Sequence, residues 1–159
     1  EGGGLVTIAL HVRRTDYVNY PNTHPMLTAD YYRRALQVLE SVMEESEWDR
    51  RVHLVFCDDS VWCKQQEWIV GLGERVVVVE EEAPDFIELR VMSLCRFIII
   101  ANSSFSWWAA YLSSSTASYE EGERGEMLQG KVVAPAEWFG SEGPSWEPDD
   151  LFPPDWIVV

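Results

Sequence analysis

Short, wholly apolar runs that recur between amphipathic stretches constrain this chain most. Val76–Val79 is four valines in succession, and Phe97–Ala101 is apolar after an arginine. Runs of this length with no polar alternation suit strands buried on both faces, as in a parallel sheet. Leu5–His11, Val52–Cys57 and Lys131–Ala134 read the same way, and Trp156–Val159 is a candidate closing strand. Between them lie helical patterns. In Ala29–Glu45, residues Tyr31, Ala35, Leu36, Leu39, Val42 and Met43 share one face behind Thr28 as N-cap, with Asp30 in the first turn. A second helix carries Val61, Trp62, Gln65 and Trp68 and stops at Gly71. A third spans Phe86–Leu94 behind Pro84 and Asp85, and a fourth begins at Asn102-Ser103-Ser104 and includes Trp107, Trp108, Tyr111 and Leu112. Strands alternating with helices predict an α/β fold, a Rossmann-like, doubly wound parallel sheet. Residues 1–159 form a single domain of that kind, with a polar, mobile loop over Ser113–Gln129.

In such sheets ligands bind beyond the carboxyl ends of the strands. That rule selects His11-Val12-Arg13-Arg14-Thr15-Asp16-Tyr17, where the first strand runs into a loop. Adjacent residues on extended backbone point to opposite sides, so one arginine reaches a ligand while the other faces the fold. The guanidinium fork matches phosphate oxygens in pairs, which lysine cannot do. The competing reading is an Arg–Asp bridge to Asp16. Asn102-Ser103-Ser104 occupies the equivalent place after Phe97–Ala101. Backbone N–H groups and two hydroxyls at a helix start make an anion site, or simply a cap. Asp58-Asp59 is either a metal pair for a nucleotide sugar or a helix cap with a first-turn acid. The Glu80–Glu82 run reads as a solvated turn, and His24 and His53 as surface or strand-packing residues.

The net charge of −15 and a pI near 4.4 argue against nucleic acid or anionic lipid as a partner. Cys57, Cys63 and Cys95 form no Cys-x-x-Cys and lack histidine at metal spacing, so they read as buried thiols, with one disulfide open in an oxidising compartment. Eight tryptophans suit a large core, and also sugar-binding walls and interfaces. No run approaches the length of about 20 residues that spans a bilayer. The chain starts Glu-Gly-Gly-Gly and reads as part of a longer protein, so any membrane attachment would come through a segment outside it.

Taken together, His11–Tyr17, Met92-Ser93-Leu94-Cys95-Arg96, the string Ala101-Asn102-Ser103-Ser104-Phe105-Ser106-Trp107-Trp108-Ala109-Ala110-Tyr111-Leu112 and Ala134-Pro135-Ala136-Glu137-Trp138-Phe139 resemble the α-1,2-fucosyltransferase family, glycosyltransferase family 11. The resemblance implies the C-terminal, donor-binding half of an inverting GT-B glycosyltransferase, with the acceptor-side domain missing. It implies GDP-β-L-fucose as donor, O2 of a galactose-containing glycan as acceptor, and neither metal nor cofactor. By the same resemblance Arg13 holds the β-phosphate and Arg14 stands beside it. His11 lies near the guanine, and Glu88 accepts hydrogen bonds from it. Asn102, Ser103, Ser104 and Phe105 line the donor, with Ser103 and Ser104 donating to the pyrophosphate. Asp16 is either the general base or an orienting partner for an arginine. Thr15 replaces the glycine usual in the α-1,2 group and gives the form seen in α-1,6 enzymes, Glu88 stands where aspartate is common, and Ala109 where glycine is. The alternatives are therefore another fucosyl linkage or a non-catalytic GDP-sugar-binding module. A nicotinamide-dependent oxidoreductase is disfavoured, because no Gly-x-Gly-x-x-Gly follows the first strand. The family setting implies a luminal Golgi enzyme in a eukaryote and a cytoplasmic one in a bacterium.

Overall fold

The computed structural model describes residues 4–80, 83–117, 130–145 and 147–159. Among these residues six parallel strands form one sheet: β1 (Val6–Val12), β2 (Arg51–Cys57), β3 (Val76–Val78), β4 (Phe97–Ile99), β5 (Val132–Ala134) and β6 (Ile157–Val158). Their order is β3-β2-β1-β4-β5-β6, the Rossmann arrangement, in which the chain winds outward from β1 and then returns to its other side at β4. Register is set by apolar pairs such as Leu10 with Val55 and with Ile99.

The alternation of side chains along β1 builds two cores. Val6, Ile8, Leu10 and Val12 point to the layer holding α1 (Ala29–Val42), with Tyr31, Tyr32, Ala35 and Leu39. The short helices α2 (Glu45–Trp48), α3 (Ser60–Cys63) and α4 (Glu67–Val70) complete that side, through Trp48, Cys63 and Ile69. Ala9 points to the opposite layer with Met92 of α5 (Asp85–Ser93), Ala109 and Ala110 of α6 (Ser104–Ala117), and Trp138, Phe152 and Trp156 beyond. A last short helix, α7 (Pro148–Leu151), leads into β6. The small residues Ala9, Ala109 and Ala110, all fully buried, let α6 lie close against the sheet. Trp138 and Trp156 serve the core, Trp108 faces outward, and Trp146 lies outside the described residues.

Several sequence expectations are corrected. The first helix ends at Val42, because Met43 is extended (ψ 151°), and Glu44 opens α2 with a reciprocal capping box to Glu47. Thr28 holds the N-cap position of α1 without a side-chain capping bond. The helix expected to run to Gly71 is two short ones, α3 and α4. Gly71 keeps a right-handed φ of −68°, and the left-handed residue is Gly73 (φ 102°), which turns the chain towards β3. The valine run is not buried on both faces. β3 is the edge strand, and Val77 is 50% exposed. Apolar content alone cannot separate an edge from a centre when every residue is β-branched. Residues 113–117 continue α6 rather than forming a loop, while 118–129, like Glu81 and Glu82, lie outside the described residues. The three cysteines are buried, and no disulfide joins them. No helix among the described residues is long and apolar enough to cross a membrane.

Candidate functional site

The turn in winding direction between β1 and β4 opens a crevice at their carboxyl ends. A cavity of about 270 Å³ lies there, lined by His11, Arg13, Phe56, Cys57, Asp58, Ala83, Asp85, Glu88 and Phe105. Each side chain is there for a local reason. His11 and Phe56 are paired across β1 and β2 on the α5–α6 side of the sheet. Asp85 and Glu88 are one helical turn apart in the first turn of α5, so they share a face. Phe105, in the first turn of α6, meets the His11 ring at 5.3 Å.

Arg13 and Arg14 diverge, as extended backbone requires. Arg13 lines the cavity. Its Nε and Nη2 donate to the two carboxylate oxygens of Asp16 at 2.9 and 3.0 Å, and Nε lies 3.3 Å from Asp58 Oδ2. No hydrogen bond among the described residues uses its Nη1. Burial works against its charge, but the bonds to Asp16 and the nearness of Asp58 outweigh that and hold its pKa above the usual value. Arg14 turns the other way, donates to Asp59 Oδ2 at 2.8 Å and stacks 4.9 Å from the Trp62 ring. It does not line the cavity. Asp16 is 52% exposed, and its fork with Arg13 holds its carboxyl below the ordinary range. The fork is the geometry of a partner that orients Arg13.

Asp58 is the residue the sequence undervalued. One of its oxygens accepts the Arg14 N–H at 2.9 Å. The other accepts the Thr15 N–H at 3.0 Å and the Thr15 hydroxyl at 2.6 Å. It therefore holds the turn after β1 in place while facing Arg13. Asp59 caps α3 through the Trp62 N–H and holds Arg14. The pair is a scaffold for the arginine turn, and no group of three metal-ligating side chains occurs among the described residues. A signal was present: Asp58 follows β2 as Arg13 follows β1, and β2 is the neighbouring strand. Thr15 fits the same account, since its hydroxyl is spent on Asp58.

The loop after β4 is braced more than it is offered. Asn102 is 2% exposed, and its Nδ2 donates to the carbonyls of Pro25 (2.9 Å) and Trp138 (3.1 Å). Ser103 is buried and immediately precedes α6, its carbonyl accepting from the Trp107 N–H. Ser104 is exposed. Neither serine lines the cavity, although both adjoin Phe105, which does. The Ser106 hydroxyl accepts the Ala101 N–H at 3.2 Å and locks the bend. From the other face, Tyr32 Oη donates to His11 O at 2.8 Å and Tyr31 Oη to Ile100 O at 2.6 Å, so the strand ends flanking the crevice are fixed from below.

Burial pulls His11 down to about 4, against the attraction of Asp58 and with the help of Arg13, so the ring is neutral at physiological pH. Burial, with Arg51, does the same to His53, also to about 4. Both imidazoles bind protons more weakly folded than unfolded, where the value is 6.5. Their contribution to stability is complete above pH 6.5 and is lost as pH falls towards 4. Between about pH 7.5 and 5 each should cost about 2 kcal/mol of unfolding free energy. Urea denaturation at the two pH values measures this, and His53→Gln should remove its share of the change.

A six-stranded Rossmann-like sheet with a charged crevice at its switch point defines a ligand-binding α/β domain of the nucleotide-binding type. The profile of glycosyl transferase family 11 matches residues 6–120. The chain belongs to this family. It is 33% identical over 143 residues to the O-antigen biosynthesis glycosyltransferase WbnK of Escherichia coli, covering 87% of this chain and 41% of that protein. It is 30% identical over 157 residues to an alpha-1,2-colitosyltransferase of Escherichia coli, covering 96% of this chain and 47% of that protein. The chain thus spans less than half the length of the curated relatives it matches. The fold is the one expected of one half of a GT-B glycosyltransferase.

Proposed function

We propose that this chain is the donor-binding half of an inverting glycosyltransferase that moves L-fucose from GDP-β-L-fucose to O2 of a galactoside. The observation that carries the reading is the cavity at the switch point, where one guanidinium faces a set of carboxylates. A nucleotide diphosphate needs a cation for its phosphates. Guanine, alone among the common bases, presents two adjacent N–H donor groups, which a carboxylate on Asp85 or Glu88 accepts. The volume of about 270 Å³ falls below the roughly 300–1,000 Å³ that encloses a drug-sized ligand. It takes the base, and the diphosphate then lies over Arg13 and the start of α6, whose first N–H groups favour anions.

In that pose the acceptor hydroxyl attacks the anomeric carbon from the face opposite GDP and gives up its proton to water as the new C–O bond forms. The bond to the diphosphate oxygen breaks as the sugar becomes oxocarbenium-like, and negative charge grows on the departing phosphate. Arg13, already aimed by Asp16 and Asp58, meets that charge without reorganising, which is the condition under which such a donor is most effective. His11 stays neutral and packs against the base. The reading assigns no metal, and Arg13 is the cation that faces the departing phosphate.

Calorimetry on this chain tests the donor. GDP should bind at least tenfold more tightly than ADP or UDP, and Glu88→Ala should bring GDP and ADP to within about twofold of each other. Equal affinities in the unaltered chain would contradict the reading. A second reading, transfer of colitose in place of fucose, is favoured by the name of the 30% relative. Product analysis with the two GDP-linked sugars separates them, since both place the nucleotide identically and differ only in the sugar.

A further inference from the structure

We propose that Tyr17 and Asn102 form a clasp that sets the direction of the Arg13 guanidinium, so that both are positioning residues and neither is a ligand-binding one. The proposal rests on the reading of this crevice as a nucleotide-sugar site. Arg13 lies between β1 and the turn at Thr15-Asp16, and an arginine side chain there has many rotamers to lose. Its direction depends on Asp16, which carries the fork, and Asp16 immediately precedes a short 3₁₀ turn, Tyr17–Asn19. Besides local backbone bonds to Arg14 O and Asp16 O, that turn is tied across to the loop after β4, where Tyr17 Oη donates to the Asn102 carbonyl at 2.7 Å. The Tyr17 ring also lies 5.8 Å from the Arg13 guanidinium carbon and stacks on His24 at 5.1 Å.

Asn102 closes the loop from its far end. Its amide holds Pro25 O and, across the next strand, Trp138 O. The amide cannot be turned over, because Oδ1 would then face two carbonyl oxygens. Both N–H donors are thereby used, and none is left for a diphosphate. Further stitches join the same segments: Gly140 N–H to Thr23 O at 3.0 Å and Glu142 N–H to Asn22 O at 2.9 Å. The approach at Gly140 is so close that a Cβ would come within 2.2 Å of Asn22 O. The loop bearing Arg13 is thus fixed to β2 through Asp58 and to the β4 and β5 loops through Asn102.

The test uses Tyr17→Phe, which removes one hydroxyl and keeps the ring, beside Arg13→Lys and the double variant. Hydrogen exchange comes first. The N–H groups of Val18, Asn19, Tyr20 and His24 are bonded within the loop, and Tyr17→Phe should speed their exchange at least tenfold while those of β1 and β4 are unchanged. GDP titration comes second. Tyr17→Phe should weaken GDP about tenfold and leave the GDP-to-ADP ratio intact. Added to Arg13→Lys it should cost less than twofold more, since it acts only through that residue. Unaltered loop exchange, or losses that multiply in the double variant, would overturn the clasp. If the unaltered chain binds no GDP, the nucleotide-sugar reading fails by itself, and the exchange data still decide the clasp. Should Tyr17→Phe fold poorly, His24→Ala, which removes the stacked ring behind Tyr17, carries the same exchange measurement.

Discussion

Arg13→Ala should weaken GDP binding by two to three orders of magnitude, the largest effect expected of any single change in this chain. Two quantities add. A hydrogen bond to a charged group contributes about 1.5–3 kcal/mol net. Removing the guanidinium also strips its neutralising partner from the carboxylates of Asp16 and Asp58, with Asp85 and Glu88 across the same cavity. A diphosphate would then approach carboxylates with no facing cation. Truncating one member of a buried hydrogen-bonded charge pair commonly costs about 2–5 kcal/mol, and this half-exposed pair belongs at the low end of that range. Arg13→Lys should fall between, with about a tenfold loss, because an ammonium restores charge but cannot hold Asp16 through two parallel bonds and still face a phosphate. Calorimetric titration of GDP into the three forms gives the ranking. In any longer form that transfers fucose, the lysine variant should lose roughly 10²–10³ in turnover, the range seen when a donor aimed at developing charge is removed. Near-normal affinity for the alanine variant would remove Arg13 from the site.

The second large effect concerns stability. Asp58→Ala should destabilise the fold by about 1–2 kcal/mol, read from urea midpoints, because it removes the acceptor of three donors at once, one of them part-buried. Those are the Arg14 and Thr15 N–H groups and the Thr15 hydroxyl. Asp58→Asn keeps one acceptor oxygen and should cost about half as much. GDP affinity should fall in both variants, since the turn they loosen carries Arg13. A variant with the unaltered midpoint would mean that solvent replaces Asp58 without loss, and that the turn holds its shape unaided.

The architecture was readable from strand-length apolar runs because a parallel sheet leaves so little room for polar residues. Helix ends were not readable. Met43 and the two short helices that replace one long one depend on how the chain turns back to β2 and β3. The edge position of β3 is a property of the whole sheet order, and Val76–Val78 carries no mark of it. For the site, the rule about strand ends pointed to His11 and Arg13, which line the cavity, and to Asp16, which holds Arg13, and the divergence of Arg13 and Arg14 followed from strand geometry. Glu88 and Phe105 entered through family resemblance, and both line the cavity. Three features escaped. Asp58 was read as a metal ligand or cap, although it follows the strand next to β1. Asn102 was read only as a donor contact, and nothing local reveals that Pro25 and Trp138 present carbonyls to its amide. Tyr17 was quoted in a motif and given no task, since its partner is 85 residues away.

The most direct test of the central claim is an experimental structure of this chain soaked with GDP. The guanine should lie in the cavity between Phe56, Phe105 and Glu88, with the β-phosphate within hydrogen-bonding distance of Arg13 Nη1 and with Asp16 still bound to Nε and Nη2. GDP seated elsewhere on the sheet, or bound in the crevice with Arg13 directed away from both phosphates, would contradict the account.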